Sequence, residues 1–189
     1  MKEFYDLRTR LPPDPDLPGF LREWGWSGAG VVAAGPPVPG LFPVTLLPES
    51  PRNRGLKGAV FVATGSKEEL RKAARHPAVD ALSTPGFLDT VTARFAAESG
   101  VAVELCVGDL LRLRGGNRVR ALQRLRHNAL LAKKAKAPVL LTSGAESRAE
   151  VRAPEDLASF GVVAGLTRED ALAGFGRVPR RILGRRGLV

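Results

Sequence analysis

The sequence is poor in the residues that build redox and metal centres. One cysteine, Cys106, excludes an internal disulfide and any multi-cysteine metal cluster, and suits a reducing compartment. Two histidines, His76 and His127, leave little material for a zinc site. No apolar run approaches the ~20 residues of a membrane-spanning helix, and the start, Met1-Lys2-Glu3, lacks the apolar core of a signal peptide. The chain is therefore expected to be soluble and cytoplasmic, without a membrane partner. Its 189 residues are expected to form one domain over 1–189, large enough for a core of its own.

A further absence is local. Residues 110–145 contain no Asp or Glu but nine Arg or Lys. Residues 1–109 carry 12 basic and 13 acidic side chains and residues 146–189 carry 8 and 6, so almost all of the +10 net charge sits in the middle stretch. Such a patch points to a polyanion, nucleic acid or an anionic membrane surface. The membrane is the weaker choice, because the apolar residues of this segment are Leu, Val and Ala, with no bulky aromatic to enter an interface.

What is present reads as alternating strands and helices. Candidate strands are Glu3–Leu7, Gly30–Ala34, Leu41–Leu47, Gly58–Thr64, Val79–Ser83, Val101–Val107 and Pro138–Thr142. Several are nearly continuous apolar runs, the pattern of strands covered on both faces of a parallel sheet. Ser66-Lys67-Glu68-Glu69 reads as a capping box in which Glu69 reaches back, opening a helix that ends near Arg75, ahead of Pro77. Pro154 suits a first helical turn, Gly165 a helix end, and Thr167 opens another helix. Six prolines within residues 35–55 leave no room for a crossover helix there. Seven strands with one abbreviated crossover imply an α/β fold, an irregular seven-stranded TIM-like (β/α) barrel.

From Asn117 to Lys136 the helical period gathers Ala121, Leu122, Leu125, Ala129 and Ala132 on one side, with Arg120, Arg124, His127 and Lys134 opposite. A solvated outer helix would look similar, but its cations would normally alternate with acids. Here Arg120 and Arg124 repel each other, and a polyanion would relieve them. The candidate RNA contacts are Arg112, Arg114, Arg118, Arg120, Arg124, Arg126, Lys133, Lys134 and Lys136, with Arg152, Arg180, Arg181, Arg185 and Arg186 behind them.

Short segments in order carry a resemblance. They are Phe4-Tyr5-Asp6-Leu7, "WGWSGAGV" from Trp24, "VDALSTPG" from Val79, "GVAVEL" from Gly100, the basic helix with Arg114-Gly115, Arg118, Arg126, Asn128 and Lys134, "PVLLTSGAE" from Pro138, "VRAPEDL" from Val151, and Pro179 with Arg181-Ile182-Leu183. Together they resemble the ribonuclease P protein component 3 family of archaea and eukaryotes. The resemblance implies a barrel related to the polymerase-and-histidinol-phosphatase metal hydrolases, and an RNA-binding subunit that supports 5′-leader removal from precursor tRNA. It further implies ribonuclease P RNA and a small ferredoxin-like protein subunit as partners in a two-plus-two heterotetramer, with precursor tRNA met indirectly. No cofactor would be bound by the protein, Mg2+ being required by the RNA.

In those hydrolases the first strand ends Asp-Leu-His-x-His and a later one in a Ser-Asp-Ala-His type motif. This chain reads Asp6-Leu7-Arg8-Thr9-Arg10 and Ser143-Gly144-Ala145-Glu146. A guanidinium has no lone pair to give a metal, so Asp6, Arg8, Arg10, Glu104 and Glu146 are read as a degenerate metal site with no metal and no catalytic residue. Glu104, inside an apolar strand, is expected to pair with Arg8 or another barrel arginine. A metal-dependent phosphoesterase of the same ancestry and a general RNA chaperone are the alternatives. Ser143 reads as a turn serine and Asn117 of "RGGNR" as a helix N-cap. Trp24 and Trp26 read as core residues, and Cys106 as a small buried one.

Overall fold

A computed structural model of the chain describes residues 3–32, 37–52, 56–84 and 86–189. Seven strands, β1 Tyr5–Thr9, β2 Gly28–Val31, β3 Leu41–Leu47, β4 Ala59–Ala63, β5 Ala81–Ser83, β6 Ala102–Cys106 and β7 Val139–Thr142, form one sheet in chain order. Every neighbouring pair is parallel. The sheet curls into a nearly closed barrel. Across its seam, Gly144 N donates to Arg8 O (3.0 Å) and Arg10 N to Ala145 O (2.8 Å), tying the end of β1 to the segment after β7. Gly144 has φ +61°, and a Cβ there would lie 2.5 Å from Cys106 Sγ, so this closing turn requires glycine.

The helices are α1 Leu17–Glu23, α2 Lys67–Ala73, α3 Thr90–Ser99, α4 Gly108–Arg112, α5 Gly115–Ala135, α6 Pro154–Val163, α7 Arg168–Phe175 and α8 Arg177–Arg185. Between β2 and β4 there is no helix among the described residues, as the prolines require. Two apolar clusters fill the space between barrel and helices, one gathering Leu21, Trp26, Leu125, Leu141, Leu157 and Phe175, the other Val62, Leu70, Leu82, Val103 and Ala132. A third joins Leu7, Phe61, Ala81, Ala102 and Leu140 of the barrel to Val178, Ile182 and Leu183 of α8. The last helix thus plugs the N-terminal end of the barrel with its apolar face.

Several expectations change at this level. Strand β1 is displaced by two residues, so Arg8 and Thr9 lie within the sheet. Strand β2 runs Gly28–Val31 rather than Gly30–Ala34, and positions 33 and 34 lie outside the described residues. Glycines hid this strand: a Cβ on Gly30 would sit 2.4 Å from Leu7 O, so close strand approach, not a turn, calls for the residue. Ser66 caps α2 through the Glu69 N–H, but the Glu69 carboxylate turns away to accept from Ser50 N (3.1 Å) and Lys72 Nζ (2.9 Å), so the box is half-formed. Helix α5 begins at Gly115, two residues before Asn117, with Arg114 at its N-cap and no side chain capping it. Trp26 is buried and its Nε1 donates to Arg152 O (2.9 Å), but Trp24 is 38% exposed and only leans on Phe20.

Candidate nucleic-acid interface

The candidate positions of the first rank divide between the mouth of the barrel and the outer face of α5. At the mouth, strand ends from β1, β4, β5 and β6 and the turn after β7 surround a cavity of about 350 Å³, lined by Arg8, Arg10, Ser83, Glu104, Arg112, Arg124, Gly144 and Glu146 among others. This is the end of a (β/α) barrel where catalytic groups gather. Arg8 reaches across it, donating from one nitrogen to Glu104 Oε2 (2.7 Å) and Ser83 Oγ (2.9 Å). Thr142 Oγ1 donates to the other Glu104 oxygen (2.7 Å). The internal ion pair expected of Glu104 is therefore formed with Arg8, and both carboxylate oxygens are engaged.

Asp6 is buried beside this pair. Its Oδ1 accepts from the N–H of Ser143 (3.1 Å) and of Arg8 (3.3 Å), so the carboxylate helps close the seam. Desolvation pushes its carboxyl up to about 6, the hydrogen bonds from Ser143 and Arg8 oppose the rise, and the Glu104 charge adds to it. Around the rim, Arg10 pairs with Glu146 (2.8 Å) and Arg112 with Glu150 (3.0 Å), while Arg112 also donates to Gly144 O (2.9 Å). Ser143 Oγ accepts from Ala145 N (3.0 Å), the contact of a turn serine. Cys106 is half-buried at this mouth, not sealed in the core. The donors do not fit a divalent ion: each carboxylate here already serves a guanidinium or backbone N–H groups, and no group of three or more His, Cys, Asp or Glu capable of holding a metal exists among the described residues.

Helix α5 runs for 21 residues along the barrel. Ala121, Leu125, Ala129 and Ala132 form its buried stripe, and Leu122 lies half-buried at the edge. Asn128 joins the stripe, although the sequence places a polar residue there. Its amide accepts from Leu88 N (2.8 Å) and donates to Gly86 O (3.1 Å), which satisfies it in the interior. The opposite face is exposed and cationic. Among the described residues, Arg114, Arg118, Arg120, Arg126, Lys134 and Lys136 meet no carboxylate within ion-pair distance, whereas Lys133 pairs with Asp170 (3.1 Å). Arg118 Nε caps Leu113 O (2.7 Å), and Arg124 borders the mouth cavity.

The second rank of candidates is engaged within the fold. Asp80 is buried between the start of β5 and α8, where Arg185 and Arg186 both pair with it. Its Oδ2 also accepts from Val60 N (2.8 Å). Arg181 donates to Gly100 O (3.1 Å), and burial, then the Arg185 and Arg177 charges, lower its pKa. Arg180 pairs with Glu3 (3.4 Å), and Arg152 donates to Ala149 O (2.7 Å). Asp80 was not singled out by sequence reasoning; the one signal for it is a carboxylate between apolar neighbours in "AVDAL".

Comparison with known proteins adds identity to this geometry. A family model described as RNase P subunit p30 matches residues 54–188. A Methanosarcina mazei protein named ribonuclease P protein component 3 is 32% identical, the alignment covering 96% of this chain and 89% of that protein. The protein of that name from Methanosarcina barkeri is 33% identical, with 97% and 90% covered. The one from Thermococcus kodakarensis is 34% identical over 70% of this chain and 62% of its own. A chain of the cryo-EM structure of archaeal ribonuclease P with mature tRNA has the same fold, with a TM-score of 0.75 and 22% identity over 95% of this chain and 91% of that one. Motifs spread from β1 to α8, a family match across most of the chain and relatives aligned nearly end to end agree: the chain belongs to the RNase P subunit p30 family, whose members are protein subunits of ribonuclease P.

Proposed function

We propose that the chain is a non-catalytic, RNA-binding subunit that supports 5′-leader removal from precursor tRNA by stabilising the catalytic RNA. The observation that carries this reading is the exposed face of α5, where Arg114, Arg118, Arg120, Arg126, Lys134 and Lys136 meet no carboxylate among the described residues. Packed RNA helices crowd phosphates, and fixed cations neutralise them with less help from Mg2+. The Arg8–Glu104 pair supports the non-catalytic part, since it fills the end of the barrel where a hydrolase of this architecture would hold its metals. Mg2+ would then belong to the RNA. Ribonuclease P RNA and a small ferredoxin-like subunit are the partners in this reading, precursor tRNA is met through them, and the site of action is the cytoplasm. No helix among the described residues is long and apolar enough to cross a membrane.

The test is reconstitution of precursor-tRNA cleavage across a Mg2+ series. Adding this chain should lower the Mg2+ needed, Arg120→Ala with Arg124→Ala should raise it again, and Arg8→Met with Glu104→Leu should leave turnover at saturating Mg2+ unchanged. A Mg2+ requirement indifferent to the chain would refute the proposal.

A further inference from the structure

Phe87 stands on the segment between β5 and α3 and is 55% exposed, although the residues on either side of it are held by hydrogen bonds. The residue before it, Gly86, accepts from Asn128 Nδ2 (3.1 Å), and its N–H donates to Thr84 Oγ1 (3.1 Å). The residue after it, Leu88, donates to Asn128 Oδ1 (2.8 Å) and accepts from His127 Nε2 (2.9 Å). Asn128 itself is 2% exposed. A buried amide that hydrogen-bonds both neighbours of Phe87 holds the backbone there, yet the phenyl ring is more than half exposed. Among the described residues its ring neighbour is His127, edge-to-face at 5.2 Å and 89°. What sets Phe87 apart from the other exposed apolar side chains is that both its neighbours are pinned by a buried amide and its ring sits beside the cationic face of α5.

The ring's setting says what it meets. His127 lies on the same face of α5 as Arg120 and Arg124, at the i, i+4 and i+7 spacings that bring helical side chains together. A polyanion following those cations passes over Phe87. Nucleic-acid surfaces that combine a cationic track with an exposed, immobilised aromatic ring hold the backbone by charge and an unpaired base by stacking. We infer that Phe87, backed by His127, is a stacking platform for one unpaired nucleotide of the RNA that lies along α5. The inference rests on the RNA-binding reading above and adds a contact that charge alone does not supply.

The two contributions separate by salt and by base. Anisotropy titrations of the full chain at low salt would use oligoadenylate of about 12 nucleotides and an abasic strand with the same number of phosphates. Wild type should prefer the strand with bases. Phe87→Ala should bind oligoadenylate about 5- to 100-fold more weakly, bind the abasic strand unchanged and keep the salt slope, whereas Phe87→Trp should retain the preference. Arg120→Ala with Arg124→Ala should instead weaken both strands and flatten the slope. Wild type that binds both strands equally, or Phe87→Ala that binds oligoadenylate like wild type, would overturn the platform and leave RNA binding standing, assigning the ring to a protein neighbour. Wild type that binds neither strand would overturn both.

Discussion

At position 8 the chain sets a guanidinium, 12% exposed, against a fully buried carboxylate, Glu104. Removing one partner of such a pair strands the other charge, which costs about 3–5 kcal/mol. Arg8→Met should therefore destabilise by roughly that amount, and Arg8→Met with Glu104→Leu by much less, because no charge is left uncompensated. Urea unfolding of both variants checks this, and equal losses would show that Glu104 is held by Thr142 and not by Arg8. Asp6 supplies a pH test. Its folded-state value of about 6 lies above the unfolded one, so its contribution is present at low pH, below about 4, and is lost as pH rises through 6. Asn at position 6 keeps an acceptor for the Ser143 and Arg8 N–H groups without titrating. Asp6→Asn should match or exceed wild-type stability at pH 7 and remove a loss on the order of 2–3 kcal/mol across that window. Denaturant midpoints measured between pH 4 and 7 decide it.

At the scale of elements, α5 and α8 are both basic helices that differ in what their charges meet. On α5, Arg114, Arg118, Arg120, Arg126, Lys134 and Lys136 meet no carboxylate among the described residues, although Lys133 pairs with Asp170. On α8, Arg185 and Arg186 converge on Asp80, which locks the C-terminal plug into the N-terminal end of the barrel. Asp80→Ala should free this helix: cleavage by trypsin within residues 177–186 should accelerate and amide exchange in α8 rise, with α5 protection unchanged. Unaltered α8 protection would place the docking energy in Val178, Ile182 and Leu183 instead. Much of this level was legible in the sequence. Thr167, Ser66 and Pro154 mark helix starts because capping is local chemistry. The half-formed box at Glu69 was not legible, because Ser50, which takes that carboxylate, lies 19 residues away.

For the whole molecule the net charge of +10 is concentrated, not spread. If about six phosphates are contacted, log affinity for RNA should fall against log salt with a slope of roughly −4 to −5. Arg120→Ala with Arg124→Ala should flatten it by about one to two units. Arg185→Ala with Arg186→Ala should leave the slope nearly unchanged while lowering stability, because those guanidiniums neutralise Asp80. An equal flattening by both pairs would move α8 into the interface.

The barrel class, the strand series, the arginines at positions 8 and 10 and the acid-free helix were all readable from the chain alone, since periodicity, residue chemistry and local charge need no neighbours distant in the chain. Tertiary structure alone decided which cations remain available to a partner. Arg112 and Arg185 resemble Arg120 in the sequence, but Glu150 and Asp80 reach the first two from elements 38 and 105 residues away, and only folding brings those carboxylates close. It also decided that Asn128 turns inward to pin a loop and Phe87 outward, because satisfying a buried amide depends on backbone groups some 40 residues earlier.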